Sequence, residues 1–277
     1  MERGRGALHV AGLAGFALVA FAANSILARL ALRGLAIDAA SYSTVRLASG
    51  AVMLGLLARA GAPANAVPRT GGDWRSALAL FAYAVPFAFA YLQLPAGTGA
   101  LLLFGSVQAT MILTGLFSGE RPGRREWAGL LLAVAGLVYL IAPGIGASPI
   151  GASALMAVAG VAWGIYSLRG RRSNAPLRDT AGNFLRSLAF VPILVIALLP
   201  SLRLSGAPPF RVSAPGLVLA IASGALASGV GYAAWYAVLP RLTAVRAATI
   251  QLATPALTAA AGVALLGEHV TLRLVVS

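Results

Sequence analysis

Long apolar runs separated by short segments rich in arginine dominate the pattern of this chain. The runs lie at about 8–30, 39–59, 74–94, 98–118, 126–142, 150–168, 180–199, 214–239 and 243–266. Each approaches or exceeds the roughly 20 residues that a helix needs to cross a bilayer. The pattern predicts nine complete membrane-spanning helices. A tenth would begin after Glu268, but the last seven residues can rise only about 11 Å as a helix, so we expect it to be truncated.

Composition supports a membrane protein and excludes several kinds of chemistry. Of the 277 residues, 59% are hydrophobic and 10% are charged, against roughly 45–50% and about 25% in soluble domains. The chain has no Cys, and its two histidines, His9 and His269, lie far apart in the sequence. We therefore expect an all-α polytopic membrane protein with no disulfide, no metal site and no catalytic centre.

The charges predict how the chain lies in the membrane. All 21 basic residues are arginine, against 7 acidic residues, and a chain without Lys cannot form the P-loop of a nucleotide hydrolase. The arginines lie between apolar runs, which favours contact with anionic lipid over nucleic acid. Fourteen fall in segments that would be cytoplasmic if the N-terminus is cytoplasmic, and five fall outside. The positive-inside rule therefore predicts a cytoplasmic N-terminus.

Faint internal repetition divides the chain into two halves, 1–147 and 148–277. Residues 22–25 align with 162–165 at an offset of 140, and the same offset places Arg46 on Arg186. Pro95 precedes Pro240 by 145 residues, and the pair Gly119-Glu120 precedes Gly267-Glu268 by 148. Each half holds five helices. Because five is an odd number, the second half enters the membrane from the opposite side, and the second repeat is predicted to be inverted relative to the first.

The order of these motifs resembles the drug/metabolite transporter superfamily, specifically its EamA-type ten-helix carriers. The likeness rests on the duplicated five-helix block, the Ala-Trp-Gly around Trp163, the Arg early in the second and seventh runs, the sequence 251–255 and the two Gly-Glu pairs. Within the superfamily the chain looks most similar to the aromatic amino-acid exporter branch of YddG type. The resemblance implies two inverted five-helix repeats around one central pathway.

One apolar run carries three aromatic residues that share a helical face. Tyr83, Phe87 and Tyr91 are spaced by four residues, which places them on one side of a helix. They could serve helix packing or lipid contact. We favour the wall of a cavity, because the repeat offset pairs Tyr83 with the small Ser228, and small residues crowd that second helix.

The amide side chains of Asn24, Gln108 and Gln251 lie within the predicted helices, where an unpaired polar group is costly. Each either bridges two helices or faces a wet cavity. Together with the aromatic positions they give the predicted substrate-binding set: Asn24, Tyr83, Gln108, Trp163, Ser228, Tyr232 and Gln251.

Arg46 and Arg186 are predicted to lie about two turns inside their helices. Asp38 and Asp179 fall on nearly the same helical faces eight and seven residues earlier, so we favour a structural or gate-locking role over binding of a substrate carboxylate. Pro86 and Pro255 would weaken helices near the membrane centre and provide hinges. We expect these four residues to form gates or hinges.

The predicted function is a carrier in a bacterial inner membrane. It would export small organic solutes, first of all aromatic or neutral amino acids, by alternating access and without a cofactor. No Asp or Glu lies in the middle of a predicted span, which favours downhill transport over proton coupling. The alternatives are a passive channel and an intramembrane lipid-modifying enzyme, although the latter would lack a nucleophile with its base or metal.

Overall fold

A computed structural model describes residues 2–62, 71–119, 148–205, 210–269 and 271–276, together with isolated positions between 123 and 139. The predicted span 126–142 lies mostly outside the described residues, as does Glu120. Every other predicted span coincides with helical structure, and the described part of the chain contains no strand beyond one isolated bridge between Ile37 and Val212. The predicted all-helical fold is confirmed.

Twelve α-helices account for most of the described residues, joined in places by shorter helical turns. They are α1 Glu2–Arg33, α2 Ala39–Ala60, α3 Trp74–Tyr91, α4 Ala96–Phe117, α5 Ile150–Arg171, α6 Pro176–Ser187, α7 Val191–Ser205, α8 Ala214–Ala222, α9 Gly231–Val238, α10 Ala244–Gln251, α11 Ala253–Leu266 and α12 Leu272–Val276. A π-helical segment, Ser223–Val230, joins α8 to α9 without a break.

Six helical segments of the described chain are long and apolar enough to cross a membrane by length and composition. They are Val10–Arg33, Ala96–Phe117, Ile150–Arg171, Pro176–Pro200, Ala214–Arg241 and Ala244–Leu266. The helices α2 and α3 fall outside this group, because α2 carries Arg46 among several hydroxyl residues and α3 opens with a polar turn. Both still pack inside the bundle.

Polar residues begin several helices where the backbone N–H groups are free. The Asp38 carboxylate accepts a hydrogen bond from the Ser41 amide at the start of α2 (2.9 Å), and the Thr243 hydroxyl does the same for Arg246 at the start of α10 (3.1 Å). Such N-caps supply the partners that the first turn lacks. The caps therefore set where these helices begin.

The helices of one predicted half pack mainly against helices of the other. The helices α3 and α4 both lie against α5, while α2 packs on α6 and on the π-helical segment, and α1 packs on α9 and α11. Gly224 permits a close approach of the π-helical segment to α2, because a Cβ at this position would collide with the Arg46 carbonyl and the Ser49 hydroxyl of α2. The centre of the bundle is therefore an interface between the two halves.

Candidate solute-binding site

A small cavity lies at the centre of the bundle, enclosed almost entirely by rings. Its volume is about 10 Å³, which is roughly the space of one water molecule. Five helices contribute its walls: Phe21 of α1, Tyr83 and Phe87 of α3, Leu103 and Phe104 of α4, Trp163 of α5 and Tyr232 of α9. Ligand pockets usually measure roughly 300–1,000 Å³. The cavity is therefore narrow in this conformation and would have to widen to admit a solute the size of an aromatic amino acid.

The Trp163 indole is the centre of the aromatic wall. Its ring lies 4.6 Å from that of Tyr232, 5.0 Å from that of Tyr83 and 5.5 Å from that of Phe21, measured between ring centroids. These separations are in the range of favourable aromatic pairs. The four side chains come from four different helices, so they tie both halves of the chain together around the cavity.

Gln251 fixes the orientation of the indole. The Trp163 Nε1–H donates a hydrogen bond to the Gln251 side-chain oxygen (3.0 Å). The Gln251 side-chain nitrogen in turn donates to the Ala247 carbonyl (3.2 Å). Gln251 is the last residue of α10, where the helix is interrupted before α11 begins at Ala253. Pro255 lies four residues later and cannot donate to the Gln251 carbonyl, which explains the interruption.

A polar network that joins five helical elements, α1, α2, α3, the π-helical segment and α9, lies next to the aromatic wall. The Asn24 amide donates to the Ser228 hydroxyl (3.3 Å) and accepts from the Ser223 hydroxyl, which itself accepts from Tyr42 (2.7 Å). Ser228 also accepts from Arg46 Nε (3.2 Å). Asn24 therefore bridges helices. Ser228 belongs to this network and is absent from the described cavity lining.

Arg46 is the charged member of the network, and its side chain is almost completely buried. Its Nη2 donates to the hydroxyls of Tyr83 (2.7 Å) and Tyr232 (3.1 Å), both of which line the cavity. Its guanidinium carbon lies 5.0 Å from the centre of the Tyr83 ring and 4.7 Å from that of Phe87. The expected pairing with Asp38 is wrong, since Asp38 caps α2 and accepts from the Arg211 amide.

A charged cluster closes the end of the bundle where α3 ends and α4 begins; we call it the Glu268 cluster. Both Glu268 carboxylate oxygens accept from the Ala96 amide (2.8 and 3.1 Å), and one also pairs with Arg29 Nε (3.4 Å). Arg29 in turn donates to the carbonyls of Tyr91 and Leu92 (2.9 and 3.3 Å). The carboxylate thus caps α4 rather than the next helix along the chain, and it joins the two halves.

The left-handed Gly267 positions this carboxylate. Its φ of 62° ends α11 and allows the Glu268 amide to donate back to the Gly262 carbonyl (3.2 Å). Glycine adopts that conformation without steric strain. The chain therefore reverses at the end of α11 and directs Glu268 across the bundle.

A second cluster closes the opposite end, where α3 begins; we call it the Asp73 cluster. Asp73 pairs with Arg169 of α5 (2.8 Å), and the Asp73 amide donates to the Asn183 side chain (2.9 Å). Asp179 accepts from the Gly72 amide (2.8 Å). Arg186, which the sequence also pairs with Asp179, instead donates to the Gly71 carbonyl, so its predicted carboxylate partner is wrong.

Hydrogen bonds and the Arg169 charge dominate the environment of Asp73. Partial burial raises its pKa, but hydrogen bonds from Ser76 and the neighbouring Arg169 together hold the pKa below its ordinary value. The carboxylate is therefore charged at neutral pH.

The remaining predicted site residues lie at different places in the bundle. Gln108 is buried in α4, its side-chain oxygen has no hydrogen-bond partner, and it is absent from the described cavity lining. Pro86 precedes the cavity residue Phe87 within an unbroken α3. No group of three potential metal ligands occurs in the described part of the chain.

Sequence reasoning missed several residues of the site. Phe21 contacts the rings of three other cavity residues, Phe104, Trp163 and Tyr232. It lies three residues before Asn24, on the same face of α1, so helical spacing could have identified it. Tyr42 and Ser223 complete the polar network. Their pairing depends on how α2 lies against the π-helical segment, which no local pattern indicates.

Together, the helical bundle and its closed central cavity define a multi-pass membrane protein with the architecture of a solute carrier. The model of the EamA-like transporter family matches residues 151–277. An uncharacterized protein of Pseudomonas aeruginosa is 52% identical over 258 residues, which cover 93% of this chain and 86% of that protein. The similarity to the EamA-like transporter family therefore covers the second half of the chain.

Two further relatives have names that state an activity. A probable amino-acid metabolite efflux pump of Salmonella typhimurium is 29% identical over 198 residues, 67% of this chain and 66% of that protein. The threonine/homoserine exporter RhtA of Escherichia coli K12 is 34% identical over 161 residues, 56% of this chain and 51% of RhtA.

A solved crystal structure supports the fold. It matches with a TM-score of 0.67 at 19% identity and covers 95% of this chain and 92% of that one. The placement in the aromatic amino-acid exporter branch stays a prediction.

Proposed function

We propose that the chain is an exporter of amino acids in a bacterial inner membrane and that it works by alternating access. The observation that carries the proposal is the ring-lined cavity at the interface of the two halves, with a polar cluster closing the bundle at each end. A carrier needs a solute site that opens to one side at a time. The names of the two curated relatives support amino acids as the solute class.

The two clusters have the composition of reversible gates. Each joins groups from both predicted halves through hydrogen bonds and one ion pair, Arg29 with Glu268 at one end and Asp73 with Arg169 at the other. Both contacts are polar, so each can break while the aromatic centre stays packed. We assign residues 1–147 and 148–277 to two inverted repeats that move relative to each other, with the break before Pro255 as one hinge.

The cavity walls favour neutral and aromatic amino acids over highly charged solutes. Six of the seven lining residues are aromatic, and the seventh is leucine. Rings stack on aromatic side chains and pack against aliphatic ones. We therefore expect phenylalanine and tryptophan to compete with threonine and homoserine for the same site.

Counterflow in proteoliposomes tests this function. The purified chain is reconstituted with an internal unlabelled amino acid, and uptake of the labelled amino acid is followed with and without a pH gradient. Saturable exchange that needs no pH gradient is expected. Flux that does not saturate would indicate a channel, and absence of flux for the whole panel would refute the proposal.

A further inference from the structure

We propose that Arg46 recognises the carboxylate of the transported solute, so that the site selects molecules bearing a carboxylate. The inference rests on the proposed function and names the chemical group through which the solute is held. The starting observation is that Arg46 is 1% exposed and that its Nη1 has no hydrogen-bond partner. An unpartnered charged donor at this depth is costly unless something else pairs with it.

None of the four carboxylates whose side chains the structure describes pairs with this charge. Asp38 caps α2, Asp73 pairs with Arg169, Asp179 accepts from Gly72, and Glu268 pairs with Arg29. All four lie near helix ends. The guanidinium cannot lose its proton in a protein, so the positive charge is permanent and only partly balanced by hydroxyls and ring faces.

The guanidinium lies directly behind the wall of the cavity. Tyr83 and Tyr232 each present a ring to the cavity and accept a hydrogen bond from the same Arg46 nitrogen. The ring centre of Phe87, a third wall residue, lies 4.7 Å from the guanidinium carbon. A carboxylate that enters between these side chains would meet the free Nη1 and two hydroxyls polarised by a cation, a strong set of donors for an anion.

The arrangement also explains which part of an amino acid would lie where. The carboxylate would pair with Arg46 at the α2 and α3 side, while the side chain would lie against Trp163 and Phe21 on the far wall. A buried site built to pair with a carboxylate should discriminate against the matching amide, because the amide leaves the guanidinium charge unpaired. We expect a preference of about 10- to 100-fold, the factor that corresponds to about 1.4–2.8 kcal/mol.

The test compares acid, amide and amine forms of one amino acid. Phenylalanine, phenylalaninamide and phenylethylamine compete for counterflow of labelled phenylalanine in proteoliposomes of the wild-type chain, and the same series is repeated with the threonine forms. The variants are Arg46→Gln, Arg46→Lys and Tyr83→Phe. The matched control is Arg246→Gln, which makes the same change at an exposed arginine.

The wild-type chain and Arg246→Gln should prefer the acid by at least tenfold. Arg46→Gln should lose that preference, and Arg46→Lys should keep part of it, since a lysine supplies the charge without the guanidinium geometry. If Arg46→Gln does not fold, the decision falls on the wild-type series and on Tyr83→Phe, in which the ratio of acid affinity to amide affinity should fall because one of the two hydroxyls beside Arg46 is lost.

Three results would overturn the assignment. Equal competition by acid and amide in the wild-type chain would remove it while the observed flux still supports an exporter. An unchanged acid preference in folded Arg46→Gln would assign the selectivity to other residues. Absence of any flux in the wild-type chain would refute the proposed function and this inference together.

Discussion

Replacement of Glu268 by alanine is the sharpest test of the gate at the α4 end. The Glu268 side chain is 11% exposed and supplies both oxygens to the Ala96 amide and one to Arg29. Pro95, the residue before α4, has no side chain that can cap the helix. The alanine variant therefore loses the cap of α4 and an ion pair between the two halves in one step.

The magnitude follows from these two contacts. Loss of a helix cap costs about 1 kcal/mol, and loss of a partly buried charge-assisted contact costs at least about as much again. Together they lower the stability of the closed end by about 2 kcal/mol, which corresponds to roughly a 30-fold change in the ratio of closed to open conformations. Glu268→Gln keeps one oxygen for Ala96 and should give an intermediate change.

Accessibility of the cavity reports this equilibrium. Because the chain has no cysteine, Leu103→Cys on the cavity wall provides a single reporter for a membrane-impermeant maleimide added at the Glu268 end. Labelling should accelerate by about 30-fold in Glu268→Ala and by far less in the control Arg33→Ala, which loses only an exposed bond to the Leu266 carbonyl. An unchanged labelling rate in a folded Glu268→Ala variant would refute the gate.

Three further outcomes are expected. For topology, Gln93→Cys should react with an external impermeant reagent and Asn174→Cys should not; the reverse pattern would invert the orientation. Trp163→Ala should reduce the preference for aromatic over aliphatic solutes in counterflow by about 2- to 10-fold, the equivalent of roughly 0.5–1.5 kcal/mol, and an unchanged preference would remove the ring from the site. Because the pKa of Asp73 lies below its ordinary value, its contribution to thermal stability in detergent should be complete above about pH 4 and lost as the pH falls through the lowered pKa. Asp73→Asn should lack that acid-dependent loss, and identical acid profiles of the two chains would contradict the assignment.

The positions of the helices could be predicted from the sequence because bilayer length and apolar composition act locally. Predicted spans at 98–118 and 243–266 coincide closely with α4 and with the α10–α11 pair. The break before Pro255 also follows from a local rule, the missing amide of proline. In these cases the residues that determine the helix or its break lie within or next to that helix in the sequence.

The partners of the charged residues depend on long-range packing and could not be predicted. Spacing along one helix suggested Asp38 for Arg46, whereas the contacts of Arg46 come from α3, α9 and the π-helical segment. Glu268 similarly caps a helix whose first residue is 172 positions away in the chain. Ser228, expected to leave space in the cavity, instead fills a place in the polar network.

The π-helical segment has a consequence for how this chain is aligned with other sequences. Ser223 and Ser228, five residues apart, both bond to Asn24, whereas five residues of a regular α-helix would separate them by about 140° around the axis. A π turn accommodates one extra residue within a helix. A relative whose corresponding helix is regular should therefore align with a one-residue gap between 223 and 230, and a gap placed later would misassign the position equivalent to Tyr232.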